Sequence, residues 1–312
     1  MKLLSYRTAW GGASIGAIVD DMVADLPLLS AHFRPGEAFP STMLGLIGQW
    51  ERLRPILEEL LAQAPDIIGE KNGEGRFIPE GKVNFLPPIP YPPKNIMCQG
   101  VNYKEHAEEG VEALTLSTDS VYVEQPVIFT KPHTALIGHR GEIIHHDATE
   151  ALDYEGELGV VIGRTGKNIT PEKVYEYIFG YTVANDTPAR DRQRIHKQAF
   201  KGKGMDSFCP MGPYLVPKDY FGDPMNVMLR TWVNGELRQE SSTSLMIHNI
   251  PTLISVLSLG MTLEPGDIFL TGTPSGVGYA RETPTFLQPD DVVEIEIEGL
   301  GKLKSTVVAP SN

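Results

Sequence analysis

The segment Asp153-Tyr154-Glu155-Gly156-Glu157-Leu158-Gly159-Val160-Val161-Ile162-Gly163 sets acidic side chains at the head of an apolar run. Side chains two apart in a strand share a face, so Glu155 and Glu157 stand side by side. After them the polar alternation stops. Leu158, Val160 and Ile162 fill one face while Gly159, Val161 and Gly163 continue the other. Both faces therefore read as buried, which predicts an interior strand with two carboxylates at its mouth. Carboxylates taken from water repel each other and lose hydration, so either this end is solvated or a cation compensates. A hard divalent ion suits that role because it prefers oxygen donors. The run VVEIEIEG supplies a contrast. There Glu294, Glu296 and Glu298 alternate with Val293, Ile295 and Ile297, the pattern of an amphipathic strand with an ordinary solvated face.

A third acid, Asp186, closes the apolar run YIFGYTVAND. It reads as another carboxylate at a strand end, or, with Asn185, as a turn. The following ARDRQRIHKQAFKGK holds Lys or Arg at positions 190, 192, 194, 197, 201 and 203 against the single acid Asp191. In a chain of formal charge −13, that local reversal predicts either an anionic ligand or a solvated basic loop. Of eight histidines, His106 has the most telling surroundings. It lies in NYKEHAEEG, a polar helical turn expected to end at Gly110, and Glu109 shares its face at i+3. A carboxylate beside an imidazole orients it for general-base work; an exposed histidine in a charged helix is the plainer reading. The segment carries few apolar residues, so a mobile lid is expected. The glycines of LTGTPSGVG match neither a phosphate loop nor a dinucleotide loop. With Thr273 they form either a small anion nest or a simple turn.

The whole chain has 312 residues, 41% hydrophobic and 21% charged, a composition able to bury a large core. The acidic balance argues against nucleic acid or an anionic membrane as partner. No stretch approaches the ~20 apolar residues of a membrane span. Cys98 and Cys209 are far apart, fitting a reducing cytosol, and the start MKLLSYRT lacks the apolar core of a signal peptide. A cytoplasmic protein is expected. Short strands with GG and DD turns, followed by helices interrupted at Pro55, outline a small N-terminal unit over residues 1–86. PPIPYPP begins a stiff linker over 87–95, and the remainder, 96–312, reads mostly as strands with few helices. The expected fold class is mixed, β-rich α+β.

Taken together, GVNYKEHAEE, FTKPHTALIG, DYEGELGVVIG, ANDTPARDRQ, GKGMDSFCPMGPYLV and LTGTPSGVG resemble, in order, the motifs of the fumarylacetoacetate hydrolase family. The resemblance implies a β-sandwich or roll catalytic domain, a homodimer, and a small variable N-terminal domain. It implies Mg²⁺ or Mn²⁺ on Glu155, Glu157 and Asp186, with His106 and Glu109 as a dyad that activates water. Arg190, Gln193 and Lys203 would grip substrate oxygens, Lys203 also meeting developing oxyanion charge, and Thr273 would stand near a substrate carboxylate. Lys203 rather than Lys201 fits, since it lies three before Asp206 in K-x-x-D-x-F-x-P-x-G-P. Founding members carry a further aspartate seven residues before the histidine, where this chain has Gln99; Thr187-Pro188 also departs from the pattern. The implied reaction is hydrolysis of a carbon–carbon bond in a 2,4-dioxo acid such as an acylpyruvate, through an enolate that the cation stabilises. The alternative is a decarboxylase or isomerase of an oxaloacetate-like or 2-hydroxymuconate-type diacid. A non-catalytic oxo-acid binding protein would have no need of His106 and Glu109.

Overall fold

A computed structural model describes residues 1–68, 75–114 and 125–310. The N-terminal unit contains β1 (Leu3–Arg7), β2 (Ala13–Val19), β3 (Met22–Asp25), α1 (Leu26–Phe33), α2 (Met43–Ile47), α3 (Trp50–Gln63), β4 (Phe77–Pro79) and β5 (Asn84–Leu86). Its strands form one antiparallel sheet in the order β4-β3-β2-β1-β5. Pro55 does not break the helix as expected. The interruption falls earlier, at Gly48-Gln49, and α3 runs through the proline. Pro55 and Glu51 both lie on the solvent side, so the carbonyl that loses its N–H partner meets water instead.

The remainder comprises β6 (Ile96–Gln99), α4 (Lys104–Leu114), β7 (Ile128–Lys131), β8 (Leu136–Ile137), β9 (Glu142–Ile144) and β10 (Gly156–Ile162). There follow α5 (Val174–Tyr177), β11 (Ile178–Asn185), α6 (Arg190–His196), α7 (Ala199–Lys203), β12 (Cys209–Pro210) and β13 (Val216–Pro217). The chain closes with β14 (Met228–Val233), β15 (Glu236–Ser242), α8 (Ile250–Ser258), β16 (Ile268–Leu270), β17 (Val292–Ile297) and β18 (Gly301–Val308). One sheet has the order β13-β11-β10-β16-β6-β7, another β15-β14-β17-β18-β9. The fold is thus the mixed, strand-rich architecture expected.

β10 is interior, with β11 on one side, β16 on the other, and all seven residues buried. Each fully buried Leu, Val or Ile here contributes about 1.5–3 kcal/mol over an exposed one, which fixes this strand at the centre. The contrasting β17 keeps Val293, Ile295 and Ile297 inside; Glu294 and Glu296 face outward beside Lys304 and Lys302 of β18. Among the described residues no helix is long and apolar enough to cross a membrane.

Residues 87–95 join the two halves without separating them. Ile89 is buried and Ser5 Oγ donates to Pro88 O. A Cβ on Gly138 would lie 2.4 Å from Phe85 O, so the two chains of backbone touch there. Next to it, His139 meets the Phe85 ring edge-on, and its Nδ1 accepts from Lys304 N–H. Burial first, then Arg140 and Lys304, lower its pKa from 6.5 to about 4. Between those values the unfolded chain binds a proton that the folded one refuses. Stability is therefore expected to fall as pH drops through that window. Denaturant midpoints at pH 7.5 and 5 check this: His139→Gln should lose less than the parent on acidification, and an equal loss would refute it.

Candidate active site

The register of two strands assembles the acids. Gly156 of β10 pairs with Asn185 of β11, so Glu155 lies opposite Asp186, and Asp186 N–H donates to Glu155 O. Opposed residues of an antiparallel pair share a face, and Glu157 lies two residues further along that face. One carboxylate oxygen from each of Glu155, Glu157 and Asp186 lies within 4.8 Å of the others, and all three residues are buried. Gly156 between them has no room for a side chain, because a Cβ would lie 2.4 Å from Thr231 Oγ1.

Cations answer this charge. Lys203, at the end of α7, donates to Glu155 Oε2 and Asp186 Oδ2 at 2.5 Å each. Lys131, the last residue of β7 and fully buried, donates to Asp186 Oδ1 and Thr187 O. That contact ties the edge strand β7 to the segment that follows β11. Arg190, opening α6, places Nη1 2.6 Å from Glu155 Oε1 and donates from Nε to Asp153. Burial opposes the ionisation of Glu155, but Lys203 and Arg190 outweigh it and hold its pKa at about 2. Glu157 behaves oppositely: burial, then the charge of Asp186, push it well above the usual carboxylate range. Burial works against the Lys203 ammonium, yet Asp186 and Glu155 raise its pKa on balance.

His106 stands on the first turns of α4, with Nδ1 2.7 Å from Glu109 Oε1. Two expectations change here. The helix does not stop at Gly110 but continues to Leu114, and its start is not lightly packed. Tyr103, His106 and Ala107 are buried, and Glu109 Oε2 accepts from Gly276 N–H. Tyr279 joins this dyad to the rest: its ring lies 6.5 Å from that of His106, and the Arg190 guanidinium sits 4.3 Å over its centre.

The 272–279 loop is neither an empty anion nest nor a plain turn. Its amides already hold carboxylates of the site: Gly272 N–H binds Glu157, Gly276 N–H binds Glu109, and Gly278 and Tyr279 N–H bind Asp153. Thr273 is buried in the same loop, and Gln193 accepts from Arg190 Nη1 at 3.4 Å. All nine residues singled out in the sequence thus belong to one contact network. Lys131, Asp153, Gln239 and Tyr279 were missed. Lys131 and Asp153 had readable signals: an ionisable residue ending an apolar strand, and the same two-residue spacing that links Glu155 to Glu157.

The donor set fits a hard divalent ion. Three buried carboxylates supply only oxygen, a suitable ligand class for Mg²⁺ or Mn²⁺. Several further buried polar atoms near the triad, Gln99 Oε1, Asn185 Nδ2, Thr187 Oγ1 and Arg190 Nη2, have no hydrogen-bond partner among the described residues. Atoms of this kind usually await water or ligand.

A model of the fumarylacetoacetate (FAA) hydrolase C-terminal domain matches residues 95–308. The chain belongs to the fumarylacetoacetate hydrolase family. Oxaloacetate tautomerase YisK of Bacillus subtilis (strain 168) is 41% identical over 296 residues, 94% of this chain and 95% of that protein. A fumarylacetoacetate hydrolase from Exiguobacterium antarcticum aligns with TM-score 0.80 and 35% identity over 99% of this chain and 100% of that one. A maleylpyruvate hydrolase from Sphingobium sp. SYK-6, solved with manganese(II) and pyruvate, aligns with TM-score 0.75 and 29% identity over 100% of both chains. The family therefore spans a tautomerase as well as hydrolases, and membership alone does not select the reaction.

Proposed function

We propose that the protein is a divalent-metal-dependent enzyme that interconverts the keto and enol forms of a short 2-oxo dicarboxylate, with oxaloacetate as the foremost candidate. One observation carries this reading: a buried oxygen-donor triad and a carboxylate-oriented imidazole share one network of contacts through Arg190 and Tyr279. The 41% identity to an oxaloacetate tautomerase, over nearly the whole of both chains, favours this reaction over others of the family. Bound to Glu155, Glu157 and Asp186, Mg²⁺ or Mn²⁺ would supply a Lewis acid that acidifies the carbon beside a keto group. The protein's own groups do the rest. Glu109 accepts from Nδ1–H of His106, which leaves Nε2 as the basic nitrogen that takes the proton from the carbon beside the keto group and gives it to the keto oxygen, or carries it back from enol oxygen to carbon. Arg190 retains a buried Nη2 without a hydrogen-bond partner among the described residues, suited to a substrate carboxylate, and Lys203 adds positive charge beside it.

Hydrolysis of a 2,4-dioxo acid is the second reading, favoured by the manganese and pyruvate complex of the maleylpyruvate hydrolase. It uses the same His106 to take a proton from water, which attacks the distal carbonyl. A product assay separates the two. Oxaloacetate and a panel of acylpyruvates are supplied with Mg²⁺, with Mn²⁺ and after chelation. Faster enol-to-keto conversion of oxaloacetate, with no pyruvate or carbon dioxide formed, is the expected result. Pyruvate plus a carboxylic acid from an acylpyruvate selects hydrolysis, and carbon dioxide release selects decarboxylation. Conversion unchanged by chelation overturns the metal-dependent reading.

A further inference from the structure

Gln239 lies in the middle of β15 and is almost wholly buried. Its amide is fully engaged. Oε1 accepts from Gly156 N–H at 3.0 Å, and Nε2 donates to Thr273 Oγ1 at 2.8 Å and to Pro274 O at 2.9 Å. The two ends cannot be exchanged, because a backbone N–H only donates and a backbone carbonyl only accepts. Thr273 Oγ1 therefore receives a hydrogen from Gln239 and must give its own elsewhere. No acceptor for that hydrogen is present among the described residues. Its neighbour Gly272 holds Glu157, and Gly156 sits between Glu155 and Glu157, so one side chain joins the triad strand to this hydroxyl.

We propose that Gln239 is a positioning residue that fixes the Thr273 hydroxyl as a hydrogen-bond donor to a carboxylate of the bound oxo acid, at a set place relative to the triad. A hydroxyl is ordinarily free to give or receive; the amide removes that choice, so an anionic ligand is met by a donor that needs no reorientation. This inference rests on the oxo-acid reading of the site given above, and its test keeps the two separable.

Gln239→Glu keeps the length of the side chain but reverses its sense. One carboxylate oxygen still accepts from Gly156, while the other can only accept, drawing the Thr273 hydrogen away from the ligand. Oxalate serves as an unreactive probe, titrated by calorimetry in the presence of Mn²⁺. The expected result is Mn²⁺ affinity within about twofold of the parent and oxalate affinity about tenfold weaker, the worth of one charge-assisted hydrogen bond. In turnover, KM should rise with kcat little changed, the mark of lost uniform binding. Thr273→Val should weaken oxalate by a similar factor, Thr273→Ser should restore it, and Q239E/T273V should be no worse than T273V alone. If Q239E fails to fold in a thermal melt, Gln239→Met replaces it, with the same non-additivity expected. Parent-like oxalate binding in Q239E, or losses that add in the double variant, overturns the role of Gln239. Failure of the parent protein to bind oxalate with Mn²⁺ overturns the oxo-acid reading itself, and this inference with it.

Discussion

The Asp186→Asn protein is expected to lose tight metal binding and to unfold more readily even without metal. Both effects follow from the same two oxygens. Asp186 Oδ1 takes Lys131 and Oδ2 takes Lys203, and neither lysine has appreciable contact with water. Lys203 would keep Glu155, but Lys131 would keep only neutral acceptors, the carbonyl of Thr187 and at best the amide oxygen of the replacement. Leaving a buried ammonium without its counter-charge costs about 3–5 kcal/mol. The divalent ion would lose one of three carboxylates, and affinity should fall by more than the about 10–100-fold typical of an outer-sphere partner. Glu157→Gln supplies the contrast. Glu157 has no cationic partner of its own among the described residues, only Gly272 N–H, and burial with Asp186 already disfavours its charge. That variant should lose metal affinity while keeping metal-free stability. Urea midpoints after chelation and Mn²⁺ titrations read both quantities. Equal metal-free stability in the two variants would refute the charge balance given to Lys131.

His106→Ala should lower kcat by about 10²–10⁴-fold, the usual range for a lost general base, with Mn²⁺ affinity nearly unchanged. The imidazole is bonded to Glu109, not to a ligand of the ion, so binding and proton transfer are separable. Turnover near the parental rate on every accepted substrate would remove His106 from the chemistry. Loss of metal binding together with turnover would make it part of the ion's support instead.

The parts of this site that were legible in the sequence are those whose pattern breaks. Alternation that stops after Glu157 announced an interior strand, and a carboxylate at the end of YIFGYTVAND was the same anomaly repeated. What remained hidden depends on partners distant in the chain. Tyr279 lies beside His106 and beneath the Arg190 guanidinium, while Gln239 meets Gly156 and Thr273. A buried glutamine on a strand with satisfied hydrogen bonds leaves no local trace, since it looks like any polar residue of a half-exposed β15. Pro55 misled for a related reason: whether a proline breaks a helix depends on which carbonyl it orphans and on whether that carbonyl can reach water.

The 272–279 segment carries one further consequence. Three acids, Glu157 of the triad, Glu109 beside the imidazole and Asp153 beside the guanidinium, hang from amides within eight residues of backbone. A shift of that backbone would disturb all three together, so these side chains are placed as one unit. If the proposed oxo-acid chemistry holds, retuning toward a different oxo acid would be sought in side chains anchored elsewhere, such as Thr187, Pro188 and the outer turns of α6.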